Sequence, residues 1–134
     1  MGYVERCLWE YRENKKALAL MREELSDLSS VHVQDYSPHA VNGVSDPVSE
    51  TAHRVLKLER DIQKMEKQIR PVEKLKESLL GSDMRIYHMR EILRQKYFEH
   101  ESMEKVIREM GISEATYFRR IGELKRLARK YIFD

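Results

Sequence analysis

The chain has 134 residues, enough for one modest domain or for a small domain with an extended helical arm. Charged residues make up 36% and hydrophobic residues 41%, with five Gly and three Pro, a balance that suits long solvated helices and points to an all-α protein. No apolar run approaches the eighteen or so residues that a membrane span needs, no signal-peptide core is visible, and Arg6 stands where a myristoylation motif beginning at Met1-Gly2 wants Ser or Thr, so no membrane partner is expected.

Residues 3 to 29 hold a regular seam. Val4, Cys7, Tyr11, Asn14, Leu18, Met21, Leu25 and Leu28 alternate steps of three and four, the spacing of helices that pack lengthwise. Asn14 falls on the seam, where one polar residue either sets register or sits wet at the edge. Cys7 is the single cysteine, without a disulfide or metal-ligand partner, and the five histidines have no metal-site spacing, so neither cofactor nor metal is expected and the chain reads as reduced and cytoplasmic.

Between residues 30 and 45 the periodicity stops and Ser, His, Pro, Asn and Gly accumulate, which reads as a mobile connection or one ordered only against a partner. Asp46-Pro47 then announces a second long helix, an N-cap followed by a proline whose missing amide does no harm at the first helical position. Val48, Val55, Leu58, Ile62, Met65, Ile69, Val72 and Leu79 repeat the seam, so the two segments predict a helical hairpin, closed within one chain or between chains. Pro71 predicts a kink or short break. Leu79-Leu80-Gly81-Ser82-Asp83 reads as a helix end, a glycine C-cap and a new N-cap. The reading therefore divides the chain into an arm over 1–82 and a domain over 83–134.

That domain opens with a helix from about Asp83 to Phe98, whose Ile86, Met89, Ile92, Leu93 and Tyr97 would cover two further helices. The next helix begins at a Ser102 cap and would bury Val106 and Ile107, and Gly111 supplies the turn through a conformation that glycine adopts cheaply. Ser113 fits an N-cap for the last helix, which turns Tyr117, Ile121, Leu124 and Ala128 to the core. The pattern is that of a helix-turn-helix.

At about 100° per residue, Ala115, Arg119, Gly122 and Arg126 point away from that core, flanked by Phe118, Lys125 and Arg129. From Arg119 to Lys130 there are six basic residues against one acid, Glu123, while the whole chain is only +2. Charge concentrated this way favours double-stranded DNA, because each cation near a phosphate releases condensed counterion. Arginines early on such a helix can pair with guanine edges, and Ala115 and Thr116 can approach thymine methyls. Ser113, Ala115, Thr116, Phe118, Arg119, Gly122, Lys125, Arg126 and Arg129 are the candidate DNA-binding residues. Gly122 costs roughly 1 kcal/mol relative to alanine in a helix, and either permits close approach of a DNA backbone or is simply tolerated.

The block from Tyr97-Phe98 through Met110-Gly111-Ile112-Ser113 and Thr116-Tyr117-Phe118-Arg119 to Leu127-Ala128 resembles the C-terminal end of the ArpU/RinA-type phage transcriptional regulators, which is similar to the promoter-reading helix-turn-helix of sigma factors. Gly43-Val44-Ser45-Asp46-Pro47-Val48 with Thr51-Ala52 resembles the entry to the central helix of those proteins. The resemblance implies a phage- or prophage-encoded DNA-binding regulator, often an activator of late genes, with RNA polymerase as a further candidate partner. Glu114, where sigma-like helices often carry a base, and Gly122 depart from that pattern. Two other readings use the same residues. A DNA-packaging adaptor like a small terminase subunit would join the basic helix to an oligomerising hairpin, and a helical interaction module would bind protein alone. No paired carboxylates, activated nucleophile or phosphate-cradling loop suggests an enzyme. The expectation is a homo-oligomer, a dimer by preference, whose arm mediates self-association.

Overall fold

Every regular element among the described residues, 1–34 and 47–133 of this computed structural model, is helical. In chain order they are α1 (Tyr3–Trp9), α2 (Tyr11–Gln34), α3 (Pro47–Ser78), α4 (Met84–Ile92) continued by a π-helical segment (Leu93–Phe98), α5 (Met103–Met110) and α6 (Glu114–Phe133). They group into two compact units, one of residues 1–15 with 67–134 and the other of residues 16–66. The boundary read near residue 82 falls inside the first of these units.

The 16–66 unit is an antiparallel pairing of α2 with α3. Leu18 and Ile62 are buried, and Met21, Leu25, Leu28, Val55, Leu58 and Met65 are half-buried along the same seam. Chain direction is evident from the ion pairs at the margins, Arg22 with Glu66 at 2.8 Å and Arg54 with Glu24 at 3.5 Å. The helical hairpin thus closes on residues of one chain. Helix α2 runs on to Gln34, beyond the expected limit at Ser29. Pro47 is the first residue of α3, as its pre-set φ favours. Its expected cap, Asp46, lies outside the described residues, as does the rest of the expected connection from residue 35.

In the other unit the start of the first seam is divided. Glu10, at φ −90° and ψ 0°, ends α1, and the Asn14 amide donates to its carbonyl at 2.8 Å, so the helical ladder resumes at once. The division has a packing reason. Cys7 and Leu8 are buried on α1, which lies against the π-helical segment and α6, whereas Tyr11 begins a helix that follows α3. Asn14 is half-buried and its amide donates to Gln68 at 3.4 Å, a long bond at the rim of the seam.

The core of this unit gathers Leu8, Ile69, Val72, Leu75, Leu79, Ile92, Leu93, Tyr97, Val106, Tyr117, Ile121, Leu124 and Ala128, all nearly inaccessible. Each fully buried aliphatic side chain contributes roughly 1.5–3 kcal/mol. That burial explains why α3 runs on through Pro71 without a break, which leaves the kink as the expected alternative there. Ile69, Val72 and Leu75 lie buried on both sides of the proline and outweigh one lost backbone hydrogen bond. Leu75, between Val72 and Leu79, belongs to the same buried seam.

Gly81 is a second correction, because it does not adopt the left-handed conformation of a glycine C-cap. A side chain there would instead press on Ile86 Cδ1 at 3.0 Å. The end of α3 is capped by Arg90, whose Nη1 donates to the carbonyls of Leu79 at 2.7 Å and Gly81 at 3.1 Å. Asp83 caps α4 as expected, accepting from the Arg85 amide at 2.7 Å. From Leu93 to Phe98 the ladder widens to π-helix, which keeps Leu93, Gln95 and Tyr97 all buried. Of the predicted covering residues, Ile92, Leu93 and Tyr97 are buried and Ile86 and Met89 half-buried.

Candidate nucleic-acid interface

Helix α5, a short turn and α6 place the candidate residues. Ser102 accepts from the Lys105 amide at 3.2 Å and starts α5, which buries Val106 completely and Ile107 partly. Gly111 ends it at φ 66° and ψ 35°, the left-handed geometry that makes a side chain costly there. Ser113 accepts from the Thr116 amide at 3.1 Å and donates to the Thr116 hydroxyl at 2.9 Å, so its side chain is spent on capping α6. Tyr117, Ile121, Leu124 and Ala128 then turn into the core.

The outward residues divide into two groups. Ala115, Arg119, Arg126, Arg129 and Lys130 are exposed, and Gly122 is half-buried with open space where a side chain would project. Arg119, Arg126, Arg129 and Lys130 fall within about 100° of arc on α6, and none of the four has an ion-pair partner among the described residues. Phe118 is 55% exposed, its ring resting edge-on against Tyr117 at 5.4 Å.

The other cations on α6 are committed within the protein. Arg120 pairs with Glu123 at 3.1 Å and donates through Nε to His88 Nδ1 at 3.3 Å. Lys125, read as a phosphate contact, lies 2.9 Å from Glu5 on α1. The same Glu5 oxygen accepts from the Tyr97 hydroxyl at 3.0 Å. The Lys125 ammonium holds the Glu5 carboxyl below its ordinary range, opposed by burial and helped by Tyr97. Burial and the neighbouring carboxylate push Tyr97 far up, so it remains a neutral donor. Burial also lowers the Lys96 ammonium, which lies over the rings of Tyr97 and Tyr117 at 5.2 and 5.9 Å. The N-terminal helix is thus fastened to α6 by a charge network.

Beside this network α1 makes other contacts with the unit. The ring of His100 stacks on Trp9 with centroids 3.7 Å apart, and its Nε2 donates to the Trp9 carbonyl at 2.9 Å. His100 has φ 57°, an uncommon conformation for a side-chain-bearing residue, which this stack holds in place. No cluster of His, Cys, Asp and Glu suited to a metal ion occurs among the described residues, and no described helix is long and apolar enough to cross a membrane.

The arrangement offers a flat, cationic helix face with small residues between its charges. No protein-family model matches the chain, and no curated protein or solved structure matches it significantly.

Proposed function

We propose that the protein is a sequence-specific DNA-binding transcription regulator, in which α5, its turn and α6 act as a helix-turn-helix with α6 as the recognition helix. The observation that carries this reading is the set of four unpaired cations on one exposed face of α6, left over after Arg120 and Lys125 are neutralised internally. A helix that only packs inside a protein gains nothing from concentrating like charges on its outer face, whereas a polyanion rewards each of them. Arg119 and Arg126 reach base edges or adjoining phosphates, Arg129 and Lys130 contact phosphates, and Ala115 and Thr116 sit beside them near the helix start. Phe118 lies at the margin of that face and Gly122 at its centre. Lys125 serves the fold rather than the DNA. The resemblance of this segment to ArpU/RinA-type phage regulators favours a phage-encoded activator that works as a self-associating protein.

Fluorescence anisotropy of the purified chain on promoter and random duplexes, across a salt series, tests the reading. Four phosphate-neutralising cations per chain predict a log–log salt slope of about −2 to −4 for each chain that contacts the duplex, with tighter binding to a preferred sequence. Absence of binding at low salt would overturn it. Salt-sensitive binding with no sequence preference, by a ring-sized assembly, would point instead to a DNA-packaging adaptor.

A further inference from the structure

Where α3 hands over to α4, three large apolar side chains stand in solvent within eight residues: Leu80 at 74% exposure, Met84 at 65% and Tyr87 at 41%. Beside them opens a cavity of about 410 Å³ whose apolar lining includes Leu79, Leu93 and Phe98, with Glu77 and Arg90 among the charged groups around it. Leu80 itself borders the cavity. Arg90 makes the surface rigid, since it holds the carbonyls of Leu79 and Gly81 and lies 5.5 Å over the Tyr87 ring. Neither Arg90 nor Glu77 has an ion-pair partner among the described residues.

We propose that this surface docks a second copy of the chain about a two-fold axis. A two-fold contact sets one patch against itself, so the patch must supply both halves of every interaction. This one does. It carries an exposed leucine beside a cavity walled in part by Leu79, Leu93 and Phe98, and charge of both signs, Glu77 with Arg90 and Lys76, so Leu80 of each copy enters the other's cavity while Glu77 faces the partner's Arg90. An unrelated acidic or basic partner would call for one sign of charge. Exposed apolar groups clustered to this degree mark association surfaces, while Leu20 and Leu56, each alone on the outer side of its helix, do not. The seam that could have joined two chains is already used within one, where Leu18 of α2 and Ile62 of α3 are both buried. No residue of α6 lines the cavity, so both cationic faces stay open and the pair can address two half-sites. The proposal goes beyond the DNA reading and holds or fails without DNA.

Sedimentation velocity of the full chain at tens of micromolar, in DNA-free buffer, tests it. The wild type sediments as a dimer. Leu80→Asp, at a mostly exposed position, keeps its helicity and raises the dimer dissociation constant about 30-fold or more. Glu77→Lys weakens the dimer in the same direction and stands in should Leu80→Asp lose helicity. Leu18→Glu and Leu25→Glu in the hairpin leave a dimer where the chain still folds, and Arg119→Glu leaves it unchanged. A monomeric wild type overturns the proposal, as does a Leu80→Asp dimer as tight as wild type.

Discussion

Arg120 and Lys125 lie on the same helix as Arg119, Arg126, Arg129 and Lys130, yet each has a carboxylate within 3.1 Å while the other four have none among the described residues. The two groups differ in position around the helix. Arg120 borders the side that packs on α4, and Lys125 borders the side that receives α1. What a polyanion meets is the charge that remains after internal pairing. Counting bases along α6 overstates the interface and hides the fact that one of them fastens the N-terminal helix.

The strongest way to break this division is to reverse charge on the free group. Arg119→Glu with Arg126→Glu should weaken DNA binding at least about a hundredfold at 0.1 M salt and flatten the salt slope, with the far-ultraviolet dichroism spectrum unchanged. Lys125→Gln should alter binding less than about threefold, since its charge is already offset. Anisotropy on one duplex measures both. Equal losses in the two variants would show that pairing with Glu5 does not withdraw Lys125 from the interface.

This division also marks how far the sequence could be read. The Ser102, Ser113 and Asp83 caps were legible because each is a short-range bond between a side chain and the backbone beside it, and the Gly111 turn because its left-handed conformation is one that glycine adopts cheaply. The hairpin seam was legible because helical periodicity repeats over many residues. Pairing of Glu5 with Lys125 was not, as it joins opposite ends of the chain and leaves no periodic trace. Arg90 as the cap of α3 is hidden for a similar reason, because it acts on carbonyls in a preceding element. Gly81 and Pro71 mark two limits of local reading: one glycine answers to the bulk of Ile86 and not to its own φ, and at one proline burial on either side carries the helix through without a break.

A smaller effect sharpens the comparison from the neutralised side. Because the folded Glu5 carboxyl is held below its ordinary value of 4.5, it stabilises the protein above that pH and loses the contribution as pH falls through the depressed value. Glu5→Gln should therefore cost about 1 kcal/mol at neutral pH, a modest amount because Lys125 is partly solvated. The deficit should shrink in strong acid. Thermal unfolding of both proteins at a series of pH values from 7 downward gives the comparison, and a deficit that does not shrink at all below pH 4.5 would assign the effect to packing. The same variant frees Lys125, so its salt slope on DNA should steepen by up to about one.

The smallest effect concerns Gly122, at the centre of the free group. Its backbone is helical and nothing lies within 4 Å of where a Cβ would stand, so no contact inside the protein requires a glycine there. Alanine should accordingly stabilise the fold by about 1 kcal/mol, raising the melting temperature by a few degrees. If the cationic face meets a DNA backbone closely at this point, the added methyl group should also weaken binding severalfold, and stability and affinity should move in opposite directions. A Gly122→Ala protein that is more stable and binds as tightly as wild type would leave Gly122 a tolerated residue and confine the contact to the four cations around it.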